Sequence, residues 1–141
     1  GDMHFENTNA KTAFDNIESK IKDLISDKSK VISFGGDHSI SYPVISAFTE
    51  KNANLNILHL DAHADLYDSF DNNPFSHASP FARLMELNKI NSLTQVGIRT
   101  LNTHQREQAI KFGVNMIEMK DFDFNYSKYT WRNYWGRYCR V

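Results

Sequence analysis

The chain has 141 residues, 40% of them hydrophobic and 23% charged, with 16 Lys and Arg set against 17 Asp and Glu. That length allows one globular domain, and the even charge balance, with no Lys/Arg run, excludes the electrostatic footprint of a nucleic-acid binder. No apolar run of about 18 residues exists to cross a bilayer, and the lone Cys139 cannot form an intramolecular disulfide, so a reducing cytoplasm is expected, without a membrane partner.

Gly1 stands where a starting Met would be, and the true N-terminus is expected upstream of it. Between Asn9 and Ser26 the apolar residues Phe14, Ile17, Ile21, Leu24 and Ile25 recur at steps of three and four, which predicts an amphipathic helix. Val31-Ile32-Ser33-Phe34 is a short apolar run ended by Gly35-Gly36 and reads as a strand. Ser41 then reads as the N-cap of a helix running to about Lys51, with Pro43 in its first turn. Leu55 to Leu60 is the next predicted strand, Asp68 to Ser76 a long Asp/Asn-rich loop, and Ser79-Pro80 the start of a helix through Leu87. Leu93 to Ile98, Thr103 to Phe112 and Val114 to Met119 follow as strand, polar-faced helix and strand. Strands alternating with helices imply an α/β fold: a mainly parallel sheet with right-handed crossovers and helices on both faces, in three layers, α/β/α.

In such sheets ligands bind beyond the carboxyl ends of the strands, and two polar motifs stand there. The first is Asp61-Ala62-His63-Ala64-Asp65, directly after the Leu55 run. In an extended backbone residues two apart turn the same way, so Asp61, His63 and Asp65 are expected to face one point. Three ionisable groups crowded together without a counter-charge repel one another or desolvate at a cost, and a cation removes that cost. Carboxylates suit Mg, Mn or Ca and imidazole suits Zn, Mn, Fe or Ni, so the mixture favours a borderline divalent ion such as Mn. The second motif, Gly35-Gly36-Asp37-His38-Ser39, lacks the Gly-Lys-Ser/Thr ending of a phosphate loop. Its glycines permit a close turn that sets His38 at the same sheet edge as a further ligand. Asp37 is expected either to orient His38, as partners of metal-bound imidazoles do, or to cap the turn. His59 shares the parity of the ligands but lies deeper in the sheet, packed or supporting them from behind. His4 and His104 read as surface residues.

Gly35-Gly-Asp-His-Ser39 followed by Asp61-Ala-His-Ala-Asp65 resembles the ureohydrolase family of arginases and agmatinases. Asp65-Leu-Tyr-Asp68, Ser76-His-Ala-Ser-Pro-Phe-Ala-Arg-Leu-Met-Glu86 and Gln95-Val-Gly-Ile-Arg99 are similar to the plant-type members and their bacterial relatives in particular, and the likeness runs to about Met119. The resemblance implies an arginase-like fold, a binuclear centre of two Mn2+ ions, and hydrolysis of a guanidino substrate, L-arginine or agmatine, to urea and an amine, in a homo-oligomer (trimer or hexamer). It also implies that His38 and His63 each ligate one ion while Asp61 and Asp65 give carboxylate oxygens, some of them bridging. A guanidinium has a pKa of about 12.5 or more, so its carbon resists neutral water. Metal-bound water, with its pKa lowered from about 15.7 towards about 7, is the stronger nucleophile required. The amine then leaves only when protonated. His77, on the loop after the first motif, is the candidate proton relay, a role the resemblance also implies. Tyr67, Asp68 and Asn73 are candidates to hold the amine or carboxylate of the substrate. Arg83 and Arg99 are assigned equally to ion pairs or to subunit contacts.

After Met119 the relatives continue into a strand ending in Ser-x-Asp-x-Asp, and this chain departs from them. Residues 120–141 hold both tryptophans, the only cysteine and four of the six tyrosines, without that motif. Asp121 and Asp123 have the spacing but precede the expected strand. Residues 1–141 are therefore expected to form a single partial domain, incomplete at its C-terminal end, with a truncated or frame-shifted tail and little activity alone. The alternative is a catalytically incomplete fragment or a non-catalytic metal-binding or interaction module of the same fold.

Overall fold

A computed structural model describes residues 2–5, 9–25 and 30–122; Ser26, Asp123, Cys139 and the rest of the atypical tail from 123 onward lie outside the described residues. The amphipathic stripe becomes helix α1, Ala10–Leu24, started by Asn9, whose side-chain oxygen accepts from Thr12 N at 2.9 Å. Its buried residues Ile17 and Ile21, with Ile25 just beyond, pack on Ala47 of helix α2, Ser41–Lys51, in a small satellite core. Leu24, counted in the predicted stripe, stays 47% exposed. Helix α2 departs from expectation at its start. A 3-10 turn over His38–Ile40, capped by Asp37, runs straight into it, so Ser41 is its first residue and not its cap. Pro43 sits in the first turn, where no N–H is needed.

The run expected as a strand at Val31–Phe34 has no strand pairing among the described residues, and Ile32 and Phe34 are 71% and 93% exposed. A strand is made by a neighbour that takes up its N–H and C=O groups, and apolar composition cannot supply one.

Three strands do pair among the described residues. β1 (Leu55–Leu60), β2 (Ile90–Ile98) and β3 (Asn115–Glu118) form a parallel sheet in the order β1-β2-β3, linked by α3 (Pro80–Glu86) and α4 (Thr103–Phe112). The architecture is thus α/β, a parallel sheet with flanking helices. β2 begins earlier than predicted because its polar start is paired. The side chains of Asn91 and Ser92 each donate to Asn56 Oδ1 at 2.6 Å, alongside the Leu55–Ile90 register. β3 is shorter at both ends, since Val114 follows the left-handed Gly113 that closes α4 and Met119 starts a 3-10 turn over Met119–Asp121.

In register, Ile57 lies beside Leu93 and His59 beside Gln95, so these four share one face. That face carries the main core, in which Phe81 and Leu84 of α3 and Ala109 of α4 pack with Leu66, Leu93 and Ile98. Right-handed crossovers stepping one way along a sheet put their helices on the same side. The opposite face of β1 presents Leu58 and Leu60, which remain 49% and 69% exposed.

Candidate metal centre

The extended backbone ends at Leu60, one residue before the first carboxylate. Asp61 N still bonds to Val96 O at 3.1 Å, but the Asp61 side chain then turns back and accepts from His63 N at 2.8 Å. Asp65 adopts a left-handed backbone at φ 49°, which a short polar side chain tolerates. Strict alternation therefore does not bring the motif together. This corrects the expectation that Asp61, His63 and Asp65 converge by sharing one face of a strand. His63 swings outward, its side chain 63% exposed and its Nδ1 3.2 Å from Asp61 Oδ1.

Asp61 and Asp65 nevertheless meet. With His38 and His59 they offer four ligand atoms that all lie within 4.8 Å of one another. His38 arrives from the 3-10 turn and its Nδ1 lies 2.5 Å from Asp65 Oδ2. That contact holds the His38 imidazole above its ordinary pKa. Burial alone would raise the Asp61 carboxyl, but the hydrogen bonds from the His63 backbone and ring outweigh it and hold Asp61 below the usual carboxylate range. Two carboxyl groups with imidazole beside them make a donor set that fits a divalent cation. His59 is buried at 7% exposure, and that burial pushes its pKa down. Its ring lies against Phe81 with centroids 4.1 Å apart. His59, expected behind the ligands, joins the cluster, and its parity with Asp61 in the sequence is the signal for that.

Two glycines shape the approach. A Cβ on Gly35 would stand 2.6 Å from Ile40 Cδ1, so the motif turns tightly on the start of α2. Gly97 has φ +90°, and a Cβ there would lie 3.3 Å from the Asp61 carbonyl. Just past it, Arg99 N and the Thr100 hydroxyl bond to Ala62 O at 2.9 and 3.0 Å. The end of β2 is thus laced beneath the first motif.

A cleft of about 640 Å³ opens above the cluster, bordered by His38, Asp61, His63, Asp65, Tyr67 and His77 among others. His77 is exposed on the long loop, edge-on to Phe70 at 5.5 Å. Tyr67 stacks on His104, and its hydroxyl accepts from Asn102 Nδ2 at 2.7 Å. Asp68 and Asn73 are engaged within and beside the loop. Asp68 Oδ1 accepts from Ser69 N and lies 3.2 Å from His104 Nε2, while Asn73 Oδ1 accepts from Phe75 N at 2.9 Å. His104, expected on the surface, is half-buried as the prop of this loop. Asp37 bonds both the N–H and the hydroxyl of Ser39, so of its two expected roles the turn cap is the one observed. Arg83 pairs with Glu86 at 2.8 Å, and Arg99 donates to Gly97 O at 3.3 Å.

The profile of the arginase family matches residues 1–133. Arginase of Glycine max is 46% identical over 115 residues, which cover 74% of this chain and 33% of that protein. Agmatinase of Bacillus cereus is 31% identical over 118 residues, covering 84% of this chain and 41% of its own. The solved structure of arginase from Medicago truncatula superposes with a TM-score of 0.74 at 41% identity, over 86% of this chain and 37% of that one. The chain thus spans about a quarter to two fifths of the length of the curated relatives it matches.

Proposed function

From the premise that the chain belongs to the arginase family, we propose that it supplies part of a Mn2+-dependent ureohydrolase that cleaves a guanidino substrate, L-arginine or agmatine, to urea and an amine. The observation that carries this reading is the convergence of His38, Asp61 and Asp65 below a cleft bordered by His63 and His77. His38, Asp61, His63 and Asp65 would hold the ions. When bound, these supply the Lewis acidity that brings a water's pKa towards neutrality. The protein's own groups do the rest. Asp61 and Asp65 would give carboxylate oxygens to the cations, and Tyr67, fixed by Asn102, offers its ring and hydroxyl to the substrate, with Asp68 and Asn73 shaping the loop. His77 stands at the rim where an imidazole passes a proton to the departing amine.

The whole enzyme in this reading is a homo-oligomer without nucleic-acid or membrane partners. Among the described residues no helix is long and apolar enough to cross a membrane. The single cysteine supports a reducing compartment, for which the cytoplasm is the proposal; one arginase of Arabidopsis thaliana that is similar to this chain is named for the mitochondrion.

The test is titration of the protein with MnCl2, with free Mn2+ followed by electron paramagnetic resonance. His63→Asn and the pair Asp61→Asn, Asp65→Asn should each weaken binding sharply. Equal binding by wild type and variants would overturn the assignment. A second reading, a metal-binding module without catalysis, would use the same cluster of His38, Asp61 and Asp65. Urea release in the presence of Mn2+ from a full-length enzyme that carries residues 1–119 of this sequence separates the two readings, because the 141-residue chain alone is expected to give little under either.

A further inference from the structure

His59 is the most buried imidazole of the cluster, and its two nitrogens are treated differently. Nδ1 lies 3.1 Å from Gln95 Nε2. Nε2 is buried, has no hydrogen-bond partner among the described residues, and faces Asp61 Oδ2 at 3.6 Å. A buried polar hydrogen left unpaired costs about 1–3 kcal/mol, so a proton on this nitrogen calls for an acceptor.

Gln95 decides which nitrogen carries the proton. Its Nε2 also donates to the Ala64 carbonyl at 2.6 Å. An amide nitrogen has two N–H groups, and here one serves Ala64 O and the other points at His59 Nδ1. Nδ1 is therefore the acceptor and the proton sits on Nε2. Turning the amide over would press Gln95 Oε1 against the Ala64 carbonyl, oxygen against oxygen. The observed orientation is kept although it leaves Oε1 without a partner among the described residues. Proximity alone groups His59 Nε2 with the ligand atoms. A direct ligand, however, needs a bare lone pair on Nε2, hence a proton on Nδ1 aimed at the Gln95 N–H groups. The ring cannot rotate out of this choice, because Phe81 covers it.

We infer that His59 is a positioning residue for the metal centre: fixed by Gln95 and Phe81, it directs its Nε2–H at Asp61 Oδ2 and so holds that carboxylate in place. The inference rests on the metal-binding reading above. The chain of contacts runs from the Ala64 carbonyl through Gln95 and His59 to Asp61. It thereby ties one carboxylate to the backbone of the residue beside the other, Asp65. Partners of this kind are worth roughly 10- to 100-fold in metal affinity.

The test has two independent readouts on the full chain. First, long-range 1H–15N correlation spectra of the metal-free, histidine-labelled protein should show His59 as the Nε2–H tautomer. An Nδ1–H tautomer would overturn the inference whatever the metal does. Second, MnCl2 titration should show affinity falling about 10- to 100-fold in His59→Phe, which keeps a planar ring without the donor. His59→Gln, whose amide N–H reaches the position of Nε2, should recover most of the loss. Unchanged affinity in His59→Phe, or equal loss in both variants, would overturn it. If the wild type itself takes up no Mn2+, the metal-binding reading fails, and the tautomer alone decides whether His59 Nε2 presents a proton to Asp61.

Discussion

Replacing Gly97 by Ala should damage both the fold and the metal centre, and the two effects can be separated. Gly97 occupies the break in register between Val96 and Ile98, with φ at +90°. An L-residue held there costs about 1–2 kcal/mol in backbone energy. The new methyl would also stand 3.3 Å from the Asp61 carbonyl. That neighbour is backbone and cannot rotate aside. It is bracketed by the Asp61 N–Val96 O bond at 3.1 Å and the Arg99 N–Ala62 O bond at 2.9 Å. Crowding of this kind adds about 1–3 kcal/mol. Gly113→Ala is the matched control: φ is +64° and nothing lies within 4 Å of the added carbon, so it carries the backbone cost alone. Urea denaturation followed by circular dichroism should therefore show Gly97→Ala more destabilising than Gly113→Ala by about 1–3 kcal/mol. If half of the smaller figure falls on the placement of Asp61, Mn2+ binding weakens about twofold; half of the larger gives about tenfold. Gly113→Ala, distant from the centre, should leave it unchanged. Equal destabilisation by the two variants, or Mn2+ affinity untouched by Gly97→Ala, would refute the coupling of this glycine to Asp61.

Other perturbations probe separate parts of the molecule. In a catalytically active assembly, His77→Asn should lower kcat by roughly 10²- to 10⁴-fold with metal content unchanged, and undiminished urea release would end the proton-relay assignment. Leu84, fully buried between α3 and the sheet, should cost about 2–5 kcal/mol on truncation to Ala, measured by urea denaturation. Glu118 is held at a pKa of about 2 by Arg106, with Lys120 adding to the effect. A depressed carboxyl stabilises the fold above its unfolded value of about 4.5, and that contribution disappears as pH falls towards about 2. The difference in urea midpoint between wild type and Glu118→Gln should accordingly be constant above about pH 5 and vanish in that window. A difference that persists at pH 2 would assign the effect to packing.

Where local signals and tertiary contacts agree, the elements were legible. Leu55–Leu60 and Thr103–Phe112 have the bounds expected of them, because an apolar run and a capped, Gly-terminated helix each carry their own start and stop. The run at Val31–Phe34 misled, since its composition says only that a partner would be welcome. The first motif was legible in its chemistry but not in its geometry. Aspartate side chains compete for nearby backbone N–H groups, so Asp61 turns the chain instead of prolonging the strand, and His63 leaves the common face. The proton arrangement of His59 depends on Gln95, 36 residues away, and no local pattern announces that pairing.

Asn102 divides one side chain between two tasks: its oxygen caps α4 by accepting from Gln105 N at 2.9 Å, and its nitrogen donates to the Tyr67 hydroxyl at 2.7 Å. Serine at this position would cap the helix about equally well but has no second polar atom to reach Tyr67. A single exchange at 102 therefore unfastens the loop over the cleft without loosening the helix that carries it. Asp61, by contrast, hangs from the end of β2, through Val96 and the strands that bury it. Position 102 and the loop it tethers can therefore vary while the cluster of His38, Asp61 and Asp65 stays as it is.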